Sequence, residues 1–363
     1  MISFAGITKR YDDSTVAVDG ISIEIPSNQL TVLIGPSGCG KTTTLKMINR
    51  IVEPTAGQIL IDGQDIRDFD IKDLRRSIGY VIQNVGLFPH MTVKDNIATV
   101  PKLLKWERSR IEERVMYLLG LVGLEPESYA RKLPKELSGG EAQRVGVARA
   151  LAADPPIILM DEPFGAVDPL TRVKLQDEFA RVQRELHKTI VFVTHDIDEA
   201  IRLADRIAVM RSGRILQYDI PENILSFPVE KFVHDFMGSD RALKRLSRVY
   251  VADYIEDVKV VSISQGWNQV GETKEEFMWA IDKDEKLIGW VDVFHSSREA
   301  SIESTLTEVA REEILQPDST VKEALSRMLE SGTVALPVAD STGKFLGQIS
   351  LSKIQELTRS DKE

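Results

Sequence analysis

The sequence predicts an α/β protein with a first domain built on a largely parallel sheet and a smaller α+β domain after it. Short apolar runs alternate with long helical patterns over the first part of the chain, as in parallel sheets that are covered on both faces. A glycine-rich loop at residues 35–42 joins one such run to a helical pattern. Beyond residue 248 a weak repeat with a different pattern predicts the second domain.

Length, charge and cysteine content narrow the class of protein. The 363 residues suit two domains, and the single cysteine, Cys39, excludes a disulfide scaffold. A net charge of −10 argues against nucleic-acid binding, which depends on Lys and Arg neutralising phosphates. The start, MISFAGITKRYDD, lacks a basic segment followed by an apolar run, and no apolar stretch is long enough to span a bilayer. We therefore expect a cytosolic protein that reaches a membrane only by docking on another protein.

The elements of the first domain follow from its patterns. Alternation of apolar and polar residues, with Ile21, Ile23 and Ile25 on one face, predicts antiparallel strands before a buried strand at residues 31–34. Patterns rich in Leu, Arg and Glu predict an inserted helical subdomain at 95–124, and residues 221–246 are predicted to close the domain as helices. Further buried strands are predicted at 79–82, 157–160 and 189–193.

Residues 35–42, GPSGCGKT, fit the pattern G-x-x-x-x-G-K-[ST]. Glycines let backbone N–H groups wrap phosphates, and the helix that follows presents its positive end. Lys41 is predicted to reach the terminal phosphates, and the Thr42 hydroxyl to ligate Mg²⁺. The alternative is a glycine turn with an unrelated lysine. The predicted nucleotide-binding residues of this segment are Gly35, Ser37, Gly38, Gly40, Lys41, Thr42 and Thr43.

Polar side chains follow three further apolar runs. IILMDEP ends in Asp161 and Glu162, GYVIQ ends in Gln83, and TIVFVTH ends in His195. Because ligands bind outside the carboxyl ends of parallel strands, we expect these groups to share one rim. Asp161 and Gln83 suit Mg²⁺, Glu162 suits polarising an attacking water, and His195 suits donation to a γ-phosphate. A solvated turn, a surface glutamine and a structural histidine are the alternatives.

The segment LSGGEAQR, residues 137–144, begins a helix with an S-x-x-E capping box formed by Ser138 and Glu141. Two glycines occupy its first turn, where each costs about 1 kcal/mol relative to alanine. Helix stability alone hardly explains them, whereas close approach of an anionic ligand to the helix start does. A plain capped helix is the alternative.

Together these segments resemble the ATP-binding subunits of ABC transporters: the phosphate loop, the Q-loop Gln83, the signature LSGGE, the acidic strand IILMDEP, the D-loop Asp168 in GAVDP and the switch His195. The resemblance covers about residues 1–240. It implies a P-loop NTPase domain with an antiparallel β subdomain and an inserted helical subdomain. It also implies that Tyr11 stacks on adenine, although Tyr11 alone would equally suit packing on a strand face.

The resemblance further implies a head-to-tail homodimer that binds ATP and Mg²⁺. Each ATP would lie between the phosphate loop of one copy and Ser138, Gly139, Gly140 and Asp168 of the other. Hydrolysis would drive a transmembrane permease at the cytoplasmic face of the cell membrane, served indirectly by an extracytoplasmic substrate-binding protein. Residues 84–93, NVGLFPHMTV, resemble the surface on which permease helices dock; ordinary core is the alternative.

The C-terminal region repeats at an offset of 58 residues. Both copies contain a strand, turn, strand pattern, FMWAIDKDEKLIGWV in the first and ALPVADSTGKFLGQI in the second. The identical positions are Val251, Ala252, Glu272, Asp282, Lys286 and Gly289, which recur as Val309, Ala310, Glu330, Asp340, Lys344 and Gly347.

This region resembles a tandem pair of CBS modules, within a domain at 241–363 that follows the ATPase domain at 1–240. The repeats span about 248–300 and 306–360. An ABC ATPase with such a tail is similar to the subunits of quaternary-amine importers for glycine betaine, carnitine or choline. The resemblance implies regulation by ionic strength or by adenine nucleotides such as cyclic di-AMP. The first copy has SQGWNQVGETKE where the second has the helical pattern TVKEALSRMLES, so a structural or dimerising role is the alternative.

Three other functions are compatible with parts of the sequence. They are a soluble ABC-type switch acting on ribosomes or DNA, an importer subunit for another small solute, and a nucleotide sensor whose ATPase is vestigial. The first typically has two fused cassettes or long coiled coils, and the last would not need every catalytic position filled. The transported molecule is contacted by the permease and the binding protein, so this chain does not specify it.

Overall fold

The computed structural model describes residues 1–11, 15–83, 86–165, 187–264, 276–296 and 301–359, together with positions 172, 176, 179, 183 and 267. The chain divides into two compact units, Met1–Ser239 and Asp240–Glu363. Within the described part of the chain, no helix combines the length and the apolar character needed to cross a bilayer.

The first unit begins with an antiparallel sheet of four strands in the order β2-β1-β4-β5. Ile21 and Ile25 are buried, and Ile23 packs against the same core, so the alternating pattern correctly predicted these strands. The strands are β1 (Ile2–Arg10), β2 (Val16–Ile25), β4 (Ala56–Ile61) and β5 (Gln64–Asp65), and β3 (Leu30–Ile34) belongs to a second sheet.

That second sheet has six strands in the order β10-β9-β3-β8-β7-β6 and is parallel except between β9 and β10. Val32 of β3 packs into one hydrophobic core and its neighbour Leu33 into another, so the strand is buried on both faces. This explains the continuous apolar runs. The remaining strands are β6 (Ile78–Val81), β7 (Ile157–Asp161), β8 (Thr189–Val193), β9 (Arg206–Arg211) and β10 (Arg214–Asp219).

Helices cover this sheet and form the predicted insertion between β6 and β7. Helices α3 to α6 follow β6, and α7 leads back to β7. The helices of the first unit whose bounds are described are α1 (Lys41–Ile48), α2 (Ile71–Arg76), α3 (Val93–Ile97), α4 (Thr99–Leu103), α5 (Arg108–Leu121), α6 (Pro126–Tyr129), α7 (Gly139–Leu151), α8 (Ile197–Leu203), α9 (Pro221–Ser226) and α10 (Lys231–Met237).

The second unit contains a four-stranded sheet, β11-β12-β13-β14, and a two-stranded sheet, β15-β16. Its first helix, α11, was predicted to close the first domain, but Leu246 packs into the core of the second unit instead. The elements are α11 (Arg241–Leu246), β11 (Val260–Ser262), β12 (Phe277–Ile281), β13 (Leu287–Asp292), α12 (Ile302–Thr305), β14 (Leu306–Thr307), α13 (Val321–Ser331), β15 (Ala335–Ala339), β16 (Phe345–Ser350) and α14 (Leu351–Arg359).

The repeat is structural as well as sequential. Asp282 accepts hydrogen bonds from the N–H groups of residues 284 and 286, and Asp340 accepts the equivalent bonds from residues 342 and 344. Both predicted hairpins therefore turn in the same way. The stretch SQGWNQVGETKE lies outside the described residues except for Ser264 and Trp267.

The two copies exchange their leading segments. Strand β14, at the start of the second copy, pairs with β13 of the first, whereas Glu256, near the start of the first copy, pairs with Gln348 of the second. A Cβ on Gly289 would lie 2.4 Å from the Thr307 carbonyl oxygen, and one on Gly347 would lie 2.5 Å from that of Glu256. The repeated glycine thus admits the crossing segment in each copy.

Candidate active site

The carboxyl edge of the six-stranded sheet carries the predicted polar groups. Asp161 is the last residue of β7 and Glu162 follows it, while Gln83 and His195 each lie two residues beyond their strands, β6 and β8. The order β3-β8-β7-β6 makes these strand ends neighbours. The structure therefore brings together residues that are 33 and 79 positions apart in the chain.

The Glu162 carboxylate lies between Gln83 and His195. Gln83 Nε2 donates to Glu162 Oε2 at 2.7 Å, and His195 Nδ1 is 3.1 Å from Glu162 Oε1. The Glu162 backbone has a φ of 47°, a left-handed conformation that is strained for a residue with a side chain. Its N–H donates to the Val193 carbonyl at 2.9 Å. The carboxylate is thus held at the edge by partners on both sides, as a positioned general base requires.

The phosphate loop links β3 to α1. Gly38 and Gly40 have φ values of 77° and 106°, which only glycine adopts without strain. The Lys41 side chain is buried, and its ammonium donates to the Gly35 and Pro36 carbonyls at 2.8 and 3.0 Å. A buried cation with only neutral acceptors, enclosed by a glycine-rich loop at a helix start, fits a phosphate group well. Ser37 is exposed and Thr43 is half-buried.

The Thr42 hydroxyl donates to Asp161 Oδ1 at 2.9 Å. Burial raises the pKa of Asp161, and the hydrogen bond from Thr42 opposes that rise. Gln83 uses its amide nitrogen on Glu162, which leaves its carbonyl oxygen as an acceptor. A hydroxyl, a carboxylate and an amide oxygen at one edge are the hard oxygen ligands that Mg²⁺ prefers. These residues therefore fit a magnesium ion.

The phosphate loop is supported by residues that the sequence patterns did not single out. Gly213 donates its N–H to the Cys39 carbonyl at 3.0 Å and accepts from the Asp19 N–H at 2.9 Å. A Cβ on Gly35 would lie 2.2 Å from the Met210 carbonyl oxygen. The Ser-Gly turn between β9 and β10 is visible in the sequence as a turn. Its contact with the phosphate loop is not, because that contact joins positions more than 170 residues apart.

Tyr11 follows β1 and is 57% exposed. The Lys9 ammonium lies 5.1 Å from the centroid of its ring, and Lys9 also donates to the Glu53 carbonyl at 2.9 Å. The chain returns into β2, and the carbonyl oxygen of Ala17 in that strand lies 2.3 Å from where a Cβ on Gly40 would be. An exposed aromatic ring at the start of a hairpin that touches the phosphate loop fits stacking on a base.

The predicted capping box is present at the start of α7. Ser138 Oγ accepts from the Glu141 N–H at 3.3 Å, and Glu141 Oε2 accepts from the Ser138 N–H at 2.6 Å. The Tyr129 hydroxyl donates to the other carboxylate oxygen and holds the pKa of Glu141 below its ordinary value. Ser138 and Gly139 are exposed and Gly140 is half-buried, so the helix start faces solvent. Asp168 lies outside the described residues.

Known proteins resemble both units. A family model described as ABC transporter matches residues 18–165, and one described as CBS domain matches residues 306–358. The osmoprotectant import ATP-binding protein OsmV of Salmonella typhimurium is 42% identical over 99% of this chain and 97% of its own length. The glycine betaine/carnitine/choline transport ATP-binding protein OpuCA of Bacillus subtilis is 42% identical over 98% of this chain and 96% of its length.

A solved dimeric structure of a bacterial ABC transporter cassette is 35% identical to this chain. It aligns with 61% of this chain and 98% of its own, with a TM-score of 0.56.

The fold and the edge of the sheet define the class: a phosphate loop after one parallel strand, with a poised carboxylate beyond another, is the arrangement of phosphate-loop NTPases. The similarity over the full length narrows that class. The chain belongs to the ATP-binding subunits of ABC transporters, in the family that serves quaternary-amine osmoprotectant uptake, and carries a C-terminal CBS domain. It is an ATPase whose hydrolysis is coupled to transport.

Proposed function

We propose that this chain hydrolyses ATP to power the import of glycine betaine, carnitine or choline through a separate membrane permease. The names of the relatives support this class of solute. The observation that carries the ATPase assignment is the Glu162 carboxylate held between Gln83 and His195. Both of its oxygens have a partner, so it is oriented before substrate arrives.

The proposed roles follow from the chemistry of each group. Glu162 accepts the proton of the attacking water, and Gln83 orients both that water and the carboxylate. His195 donates to the γ-phosphate as negative charge develops on its oxygens. Lys41 turns from the loop carbonyls to the terminal phosphates. When bound, Mg²⁺ would be held by Thr42, Asp161 and Gln83 and would neutralise charge on the phosphates.

The homodimer forms part of this proposal. Ser138, Gly139 and Gly140 of one copy would contact the triphosphate bound at the phosphate loop of the other, together with Asp168. Their exposure at the start of α7 leaves backbone N–H groups and a helix end available to an anion. The dimeric cassette to which the chain is similar supports this arrangement. Tyr11 would stack on the adenine.

The partner and the location are proposed from the family. The chain would dock on the permease at the cytoplasmic face of the membrane, through the segment that contains Phe88 and its neighbours. The substrate-binding protein would act on the other side, without touching this chain. In the tail, the CBS modules would regulate transport by binding an adenine nucleotide such as cyclic di-AMP or by responding to ionic strength.

Glu162→Gln tests the catalytic assignment. The amide keeps the size of the side chain but cannot accept the proton of water. We expect kcat to fall by about a hundredfold or more while ATP binding and nucleotide-dependent dimerisation persist, measured by phosphate release and by nucleotide titration. Glu53→Gln is the matched control, because Glu53 forms an exposed ion pair with Arg50. Near-normal turnover by Glu162→Gln would remove Glu162 as the base. Uptake assays of the reconstituted complex, comparing betaine, choline and carnitine, identify the solute.

A further inference from the structure

The backbone of residues 88–92, which leads into α3, is hydrogen-bonded to one buried side chain. Asn96 of α3 is fully buried. Its Oδ1 accepts from the Phe88 N–H at 2.7 Å, and its Nδ2 lies 3.2, 3.1 and 3.0 Å from the carbonyls of Phe88, Met91 and Thr92. One amide thus contacts backbone groups of residues 88, 91 and 92.

The contact with Phe88 has a specific consequence. The Asn96 amide pairs with both the N–H and the C=O of Phe88, as a neighbouring strand would. Two bonds to the backbone of one residue set the direction in which its side chain leaves the chain. Phe88 is 42% exposed, although its backbone N–H and C=O are both bonded to a buried side chain.

Phe88 lines a cleft of about 370 Å³. Val100 and three arginines, Arg75, Arg76 and Arg149, line the same cleft. Arg149, near the end of α7, donates to the Gly86 carbonyl at 2.7 Å, so α7 also bonds to the backbone two residues before Phe88. Two helices of the first unit, α3 and α7, therefore determine the position of Phe88.

We infer that Asn96 is a positioning residue for coupling to the permease: it presents Phe88 to the docked permease segment and takes no part in hydrolysis itself. The inference rests on the proposed function, since it assumes that this cleft meets the permease. A buried amide is a costly way to fill a core position unless its bonds are needed. Here the bonds of the Asn96 amide take the place of the backbone pairing that a helix or strand would give residues 88–92. They fix the orientation of the exposed Phe88 side chain.

The test compares Asn96→Ala with Gln217→Ala in the full chain. Gln217 is the matched control, because it is also buried and clamps another loop through the Phe227 carbonyl and the Val229 N–H, each at 3.1 Å. Both variants should lower the melting temperature. Basal hydrolysis by the detached subunit should stay within about twofold of wild type for both, because neither residue contacts the phosphate loop or Glu162.

In the reconstituted complex, Asn96→Ala should lower permease-stimulated hydrolysis and solute uptake by about tenfold, the size expected when a central interface anchor is lost. Gln217→Ala should leave both unchanged. In a Phe88→Ala background, Asn96→Ala should cause no further loss of coupling, since the group through which it acts is already gone. Asn96→Ser, which keeps one donor and one acceptor, should recover part of the coupling and provides a second variant if alanine prevents folding.

Normal coupling in Asn96→Ala, or a further loss in the Phe88→Ala background, would overturn the inference while leaving the proposed function intact. Equal loss of coupling in Gln217→Ala would overturn it too, because general destabilisation would then suffice. A wild-type complex whose permease gives no stimulation at all would overturn the proposed function, and the inference with it.

Discussion

Glu162 adopts a left-handed backbone conformation directly after a buried strand. Such a conformation costs about 1–3 kcal/mol for a residue with a side chain and persists only where neighbouring contacts maintain it. Here the Glu162 N–H is bonded to Val193, and the carboxylate meets Gln83 and His195. The acidic pair after an apolar run was predictable from the sequence. The strained turn was not, because Pro163 and Asp161 do not by themselves require it.

Two glycines of the phosphate loop also have backbone conformations that disfavour a side chain. Gly40→Ala should destabilise the first unit more than Gly38→Ala. Both positions have positive φ, so either alanine would be strained. A Cβ on Gly40 would lie 2.3 Å from the Ala17 carbonyl oxygen, whereas a Cβ on Gly38 would meet nothing within 4 Å. We expect a loss of about 2–4 kcal/mol for Gly40→Ala and about 1 kcal/mol for Gly38→Ala, measured by urea unfolding of the first unit. Equal losses would contradict the close approach of Ala17.

Helix α7 shows how an element combines a structural and a functional requirement. Its capping box is complete, with Ser138 and Glu141 bonded reciprocally. Its two leading glycines lower helix stability, and its last turn supplies Arg149 to the segment before Phe88. The element and its start were predicted from the sequence. The contact of its far end with Gly86 was not, because no local pattern records it.

Ser138→Ala separates these two requirements when compared with Thr320→Ala. Thr320 caps α13 of the second unit in the same way, accepting from the Glu323 N–H at 3.2 Å. Each substitution should cost about 1 kcal/mol of stability, measured by denaturant unfolding. Only Ser138→Ala should also lower ATP hydrolysis, by about tenfold or more, because that hydroxyl would face the nucleotide of the second copy. Loss of hydrolysis in neither variant would argue against the composite site.

At the scale of the whole molecule, the second unit is a single body made of two exchanged copies. β14 covers the first hairpin, and Glu256 pairs with the second. The segment that leads out of the first unit is also bonded to the second copy, since the Val251 N–H donates to Ser319 and the Val321 N–H to Val249. The start of the first copy is therefore hydrogen-bonded directly to the second copy, although most of the first copy lies between them in sequence.

Removing residues 240–363 should abolish regulation while preserving transport. The first unit has its own hydrophobic cores and carries every described residue of the proposed active site. A chain ending at Ser239 should keep permease-stimulated hydrolysis within about twofold of wild type. It should lose the response of that activity to ionic strength or to cyclic di-AMP, measured in the reconstituted complex. A chain ending at Arg359 is the control. Unchanged responses after removal of the unit would refute a regulatory tail.

Much of the architecture is encoded by contiguous residues. The buried strands, the phosphate loop, the capping box of α7 and the twin Asx turns at Asp282 and Asp340 each follow from a local physical cause: a period of two, a glycine's freedom of φ, or a side chain bonded to nearby backbone. Each of these causes acts over a few neighbouring residues, so the amino-acid sequence alone predicts the element.

Tertiary structure alone decided which of these pieces meet. The strand order placed β8 between β3 and β7, and this brought His195 to Glu162. Folding also makes three other sets of hydrogen bonds. Gly213 bonds to the phosphate loop, Asn96 bonds to the backbone of Phe88, and the two copies in the tail exchange segments. Several of these partners are far apart in the chain, and all depend on how whole elements pack and on the register of their pairing, which no local pattern specifies.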